Sequence, residues 1–377
     1  MKLQRMNRRA LTLGALAATG ALALTACGSD DTGSSSTPSS STSAAADSSA
    51  IKCDDASGQL QASGSSAQKN AIDAWVKQYT ASCKSVQINY NPTGSGAGVT
   101  AFLGGQTAFA GSDSPLKPEE ITASKKVCTD GQAIDLPMVG GPIAVGFNVP
   151  GVDSLTLDAS TLAKIFNNKI TNWNDAAIAK LNPDAKLPDL KIQAFHRSDE
   201  SGTTDNFTKY LKAVSPSDWT YSGGKAWQAK GGQSAEGSSG LAQQVKQVSG
   251  SISYFELSYA TDGIKTAALK TGASTPADAT VENATKAIST AKVTGTGSDL
   301  ALEMNYKPTE DGAYPLTLVT YEIACDKGNK SDTLATTKSF LTYIASEDGQ
   351  KLLTDAKYAP IPDEIIAKVR TTIDSLS

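Results

Sequence analysis

Four times along this chain a short strand runs into a turn of small residues and on toward a helix, and that recurrence limits the fold more than any other feature. Gln59-Leu60-Gln61-Ala62 leads into Ser63-Gly64-Ser65-Ser66-Ala67, after which Ile72, Trp75, Val76 and Tyr79 share one helical face. Val86, Ile88 and Tyr90 alternate as a strand ahead of Thr93-Gly94-Ser95-Gly96-Ala97-Gly98 and an apolar helix from Val99. Ala108-Phe109-Ala110 runs into Gly111-Ser112-Asp113-Ser114-Pro115-Leu116, and Lys191 to Phe195 runs into Arg197-Ser198-Asp199-Glu200-Ser201-Gly202-Thr203. Strands alternating with helices predict an α/β architecture with largely parallel sheets. Ligands of such sheets sit beyond the carboxyl ends of the strands, where these turns lie.

The last of the four turns carries the most chemistry. Phe207, Tyr210, Leu211 and Val214 recur at helical spacing behind it, so Ser201 and Thr203 stand where a helix N-cap belongs. Free backbone N–H groups and the positive end of the helix dipole converge there, and Arg197 adds a planar fork of donors. The set suits a small tetrahedral oxyanion; the same residues also suit an ordinary capped helix with a surface Arg–Asp pair. Elsewhere the pattern predicts an apolar strand from Leu136 to Val145 broken by Gly140-Gly141-Pro142. It also predicts a helix, a turn and a second helix containing Trp173 between Asp158 and Lys180, strands at 250–255 and 314–319, and an amphipathic closing helix from Lys338 to Leu353. Residues 261–313 show little periodicity.

The amino-terminal stretch reads as a targeting signal. Lys2, Arg5, Arg8 and Arg9 precede a short apolar run, Leu11 to Ala26, ending in Leu24-Thr25-Ala26-Cys27-Gly28. That ending resembles a bacterial lipobox, which implies cleavage before Cys27 and a diacylglycerol on its sulfur. Asn7-Arg8-Arg9 leaves the export route open between general and twin-arginine secretion. Residues 1–26 are expected as a lipoprotein signal peptide, and 27–50, almost without large apolar residues, as a flexible tether from Cys27. No later run is apolar and long enough to span a bilayer, so lipid anchorage on the extracytoplasmic face of the cell membrane is the expected localisation. The remaining ~325 residues exceed one comfortable core and predict two domains. Cys53, Cys83, Cys128 and Cys325 follow Cys27, an even count that predicts two disulfides in an exported chain. Of the three pairings, Cys53–Cys83 with Cys128–Cys325 is favoured: the first closes a strand–helix unit, the second ties an early segment to a late one.

Charge and motif content exclude several functions. Loss of the signal takes away Lys2, Arg5, Arg8 and Arg9 and no acidic residue, moving the formal charge from −4 to −8. A chain so acidic does not suit nucleic acid as a partner. Val99 occupies the place of the final glycine in G-x-G-x-x-G and no phosphate-loop lysine follows, which argues against a nucleotide. His196 is the sole histidine and the cysteine spacings fit no zinc pattern, so neither metal nor cofactor is expected. A G-x-S-x-G elbow is lacking, and His196 reads as a strand-end residue rather than a general base; no enzymatic activity is expected.

Taken in order, these motifs resemble the phosphate-binding protein of bacterial high-affinity phosphate ABC transporters. The resemblance runs from about Leu60 to Ile361 through Thr93 to Gly98, Gly111 to Leu116, Val139-Gly140-Gly141-Pro142, Ile170-Thr171-Asn172-Trp173-Asn174-Asp175, Arg197 to Thr203 and Ile252-Ser253-Tyr254. It implies a two-lobed, periplasmic-binding-protein-like fold (type II): two α/β domains joined by a hinge, with the ligand cleft between them. Domain 1 would comprise 51–139 and 317–377 and domain 2 residues 140–316, with the hinge near Gly140-Gly141 and Tyr314-Pro315. It further implies a monomeric receptor without cofactor that captures inorganic phosphate and delivers it to a permease and its ATPase complex. Another tetrahedral oxyanion (sulfate, molybdate or tungstate) and a secreted phosphatase are the alternatives.

Carried over by motif, Ser66 is a hydroxyl donor, and Ala67, usually aromatic in the family, contributes its backbone N–H. Ser95 is the hydroxyl of the glycine-rich turn, Asp113 the acceptor carboxylate, Arg197 the cleft cation and Asp199 the carboxylate orienting it. Ser201, Gly202 and Thr203 supply donors at the helix start; Glu200, where glycine is common, is expected to face solvent. Phosphate near neutral pH keeps a proton that Asp113 can accept, whereas sulfate would oppose lone pairs to it.

Overall fold

Residues 51–377 are described in a computed structural model of the chain; the expected signal peptide, tether and lipidated Cys27 lie outside the described residues. The chain opens with β1 (Gly58–Gly64), α1 (Lys69–Ser82), β2 (Val86–Asn91), α2 (Ser95–Leu103), β3 (Phe109–Ser112) and α3 (Pro118–Ser124). A long strand, β4 (Ala133–Asn148), leads to β5 (Thr156–Asp158), α4 (Ala159–Phe166), α5 (Ala176–Leu181), β6 (Gln193–Arg197), α6 (Gly202–Val214), β7 (Gln233–Ala235), α7 (Gly237–Gln247) and β8 (Ser251–Glu256). Short strands β9 (Lys265–Thr266), β10 (Ala268–Lys270), β11 (Lys292–Val293) and β12 (Leu302–Glu303) follow, with α8 (Val281–Ile288) between β10 and β11. The chain then returns through β13 (Thr317–Cys325) to α9 (Leu334–Ala345), α10 (Glu347–Asp355) and α11 (Asp363–Ser375).

One sheet runs through the molecule in the order β2-β1-β3-β13-β4-β8-β6-β7, with β9 also on β4. Its flanks are parallel, β1 with β2 and β3, and β6 with β7 and β8. Its centre is antiparallel, β13 with β3 and β4, and β4 with β8. The sheet is therefore mixed rather than largely parallel, because β4 and β13 cross between the lobes in opposite directions. β4 pairs with β13 over 133–142 and then with β8 over 143–148.

The expected break at Gly140-Gly141-Pro142 does not occur; β4 runs straight through it. Close packing accounts for the glycines. Gly140 exchanges two backbone hydrogen bonds of 2.8 Å with Ala359, and a Cβ there would lie 2.2 Å from Ile288. Pro142, which has no N–H to donate, stands where the ladder changes partner. Two other expectations are corrected. Trp173 lies between α4 and α5 rather than in a helix, buried with its indole N–H on the Gly250 carbonyl at 3.0 Å. The closing helix is two helices, parted where the Ser346 side chain caps α10 by accepting from the Gly349 N–H, and α11 follows them.

Two buried cores lie at the two ends of the sheet, parting along β4 between Val139 and Ile143. Trp75, Tyr79, Phe109 and Phe340 lie in the first, where Tyr79 meets Phe340 edge-on at 5.3 Å. Phe147, Trp173, Phe207 and Tyr254 lie in the second, with Phe207 stacked on Tyr254 at 4.2 Å. Ala284 and Ile288 of α8, with Leu300 and Leu302, pack on the first core although they precede β13 in the chain. The disulfides are Cys53–Cys83, which pins the chain start to the end of α1, and Cys128–Cys325, which joins the end of β13 to the segment after α3.

Candidate functional site

The four predicted turns meet at one place, joined by a fifth between β7 and α7. Ser201 caps α6, its side chain accepting from the Thr204 N–H at 3.2 Å. Ser95 opens α2, and its buried Oγ accepts from two backbone donors, the Asp113 N–H at 3.2 Å and the Gly202 N–H at 3.1 Å. Asp113, 3% exposed beyond β3, accepts from the Thr203 hydroxyl on Oδ2 (3.1 Å) and from the Thr320 hydroxyl on Oδ1 (2.9 Å). Arg197 ends β6 at 2% exposure; its Nε donates to Asp199 Oδ1 at 2.7 Å and its Nη2 to Oδ2. Asp199 Oδ1 also accepts from the Gly237 N–H at 3.1 Å, and Ser66 Oγ from the Ser238 N–H at 3.0 Å. Ala67 is buried beside them, its N–H on Ser65 Oγ at 3.0 Å.

Glycine permits this meeting of the lobes. A Cβ on Gly202 would lie 2.6 Å from the Asp113 Cβ and 2.8 Å from Ser95 Oγ. Gly94, at φ +94°, would put one 2.4 Å from Asp199 Oδ2. Glu200 is exposed, and its carbonyl accepts from the Gly96 N–H across the cleft at 3.0 Å.

The starts of α2, α6 and α7 thus converge with a buried guanidinium, a donor-rich and locally positive spot in an acidic chain. Burial pushes the Asp199 carboxyl up, but its bonds to Arg197 and the Gly237 N–H hold it below the ordinary carboxylate range. For Asp113 burial prevails: the carboxyl stands above that range despite the pull of Ser65, Thr320, Arg197 and Thr203. His196 stacks on Trp227 at 4.7 Å with Nδ1 3.0 Å from the Arg197 carbonyl, and burial lowers its pKa. Its ring thus packs between an indole and a backbone carbonyl.

Ser238 and Thr320 are the neighbours that sequence reasoning missed. The small-residue run Ser234-Ala235-Glu236-Gly237-Ser238 before helical Leu241 and Val245 was a usable signal for the first. Thr320 has no local signal. It reaches Asp113 because β13 runs antiparallel to β3 with Tyr321 opposite Ser112, so the next residue on each side, Thr320 and Asp113, face one another.

Two more buried carboxyls feel the charge of Asp113. Glu256 and Glu322 are both pushed up to about 8, chiefly by burial. An unfolded glutamate titrates near 4.5, so between that value and about 8 the folded chain holds more protons and stability falls as pH rises. The Glu256→Gln, Glu322→Gln double variant should therefore lose less stability than the parent from about pH 5 to about pH 8.5, by on the order of several kcal/mol. Chemical denaturation at the two pH values checks this; parallel losses would mean the carboxyls ionise freely in the fold.

The comparisons with known proteins agree with this architecture. A family model described as a PBP superfamily domain matches residues 39–348. Phosphate-binding protein PstS 3 of Mycobacterium tuberculosis is 41% identical over 377 residues, covering 99% of this chain and 100% of its own. PstS 2 of the same organism is 39% identical over 367 residues, covering 96% of this chain and 97% of its own. Among solved structures, the phosphate binding protein from Stenotrophomonas maltophilia has a TM-score of 0.63 at 21% identity, covering 84% of this chain and 94% of that one. The chain is a member of the PBP superfamily and, within it, belongs to the PstS phosphate-binding protein family.

Proposed function

We propose that this chain is an extracytoplasmic solute-binding lipoprotein that captures inorganic phosphate between its lobes and delivers it to an ABC transporter permease driven by an ATPase complex. The observation that carries the proposal is Ser95 Oγ holding the Asp113 N–H and the Gly202 N–H at once, which brings the acceptor carboxylate and the start of α6 to one point. Ser66, Ser95, Arg197, Ser201 and Thr203 would serve the anion as donors, and the Gly202 and Ala67 N–H groups, which donate to Ser95 Oγ and Ser65 Oγ in this structure, would turn to it. Asp199 would orient the guanidinium and Asp113 would take the ligand's proton. The lobes would be 51–139 with 317–377 and 140–316, with α8 riding on the first core, and rotation would occur near Gly140-Gly141 and Tyr314-Pro315. Cys27 would carry the anchor. The protein would act as a monomer by binding, with no reaction of its own.

Calorimetry on one purified sample tests this. Phosphate and arsenate, which both keep a proton near neutral pH, should give saturable heats, and sulfate at the same concentration should give none. A chromogenic phosphate ester should not turn over. Silence toward phosphate would overturn the assignment.

A further inference from the structure

A buried lysine outside the ligand site joins the two segments that build it. Lys225 lies between α6 and β7 and is 8% exposed. Its backbone carbonyl accepts from the Ser201 N–H at 2.9 Å, immediately beside the N-cap of α6. Its Nζ leaves the second lobe altogether and lies 3.7 Å from Glu120 Oε1, on the first turn of α3.

The segment that receives it is fixed by its own hydrogen bonds. Glu120 Oε2 accepts from the Lys117 N–H at 2.8 Å, which fixes that side chain at the start of its helix. Asp135 on β4 is wholly buried and takes the Leu116 N–H on both oxygens, at 3.2 and 3.0 Å. Asp299 accepts from the Asp135 N–H at 2.9 Å. Burial and the neighbouring Asp299 hold the Asp135 carboxyl well above its ordinary range, and the Lys225 charge pulls it back down. Leu116 and Glu120 lie directly downstream of Asp113 in the same segment. The lysine therefore links the Asp113 segment of one lobe to the Ser201 turn of the other.

An ion pair of this kind counts only when the cleft is shut. Separation of the lobes returns Lys225 and Glu120 to water, where each is well solvated. Closure brings Lys225 against Glu120 and takes both from water, and burying either charge without the other is disfavoured. We propose that Lys225 is a closure strut: a positioning residue that touches no ligand and sets the population of the closed state through Glu120. The proposal rests on the phosphate reading above, since closure is read through the ligand it retains.

The test uses inorganic phosphate and three variants of the full chain. Lys225→Met should raise the dissociation constant roughly tenfold or more, mainly through faster release in stopped-flow, since a change of that size needs only a modest shift in closure. Lys225→Arg, which keeps the charge, should stay within about threefold of the parent. Glu120→Gln, a change at a partly exposed site, should also speed release. Combining it with Lys225→Met should add little, as for two halves of one interaction. Small-angle scattering should show the Lys225→Met chain still open at a phosphate concentration that closes the parent. Parental release rates in Lys225→Met, or effects of the two changes that simply multiply, would overturn the strut alone. No phosphate binding by the unmodified chain would overturn the ligand assignment and the strut with it.

Discussion

Asp113→Asn should weaken phosphate binding on the order of a hundredfold to a thousandfold and let sulfate compete, because an unpaired buried acceptor facing an anion is worth several kcal/mol. The structure says why so small a change has such reach. Each oxygen of Asp113 is already held by a hydroxyl, Thr203 on one side and Thr320 on the other, so the carboxylate cannot turn away from a badly matched ligand. Its backbone carbonyl is taken as well, by the Asn206 side-chain amide at 2.7 Å. Asparagine keeps the shape but puts a donor where there was an acceptor, which removes the partner of the ligand's proton and the penalty against an unprotonated ion together. Equilibrium dialysis of labelled phosphate against unlabelled sulfate, on parent and variant side by side, gives both quantities. Selectivity equal to the parent's would take Asp113 out of this role.

The second large effect concerns stability. Replacing Cys128 and Cys325 by serine should destabilise the chain by roughly 2–5 kcal/mol, toward the upper end, whereas the same change at Cys53 and Cys83 should cost less. The reason is loop length: the first pair is separated by 197 residues in sequence and the second by 30. Cys325 also faces Ala133 in the ladder of β13 with β4, so the bond secures the end of the central strand pair. Chemical denaturation of the two double variants under oxidising conditions compares them directly. A larger loss at Cys53–Cys83 would sink the loop-length account.

What could be read without coordinates was local. The α6 cap is legible because a serine accepting an N–H three residues on is a relation within one turn, and Arg197 and Asp199 are two residues apart. The strand–turn–helix units were legible for the same reason. The misreadings also have local causes. Gly140-Gly141-Pro142 looked like a break because glycine and proline usually punctuate, yet here Gly140 admits Ile288 and Ala359, and Gly141 admits Glu256, at close range. Trp173 looked helical because its apolar neighbours recur at helical spacing.

The sequence by itself determined the α/β class, the turns that carry donors and the residue types an oxyanion needs, since propensity, capping and hydrophobic period act between neighbours. Only the tertiary structure decided which of those turns face one another. Thr320 reaches Asp113 across 207 residues through the antiparallel pairing of β13 with β3, Ser66 reaches Ser238 across 172, and Lys225 lies near Glu120 of a distant helix. Such pairings follow from strand order and from where glycine lets two backbones approach, and both are properties of the packed sheet rather than of any segment within it.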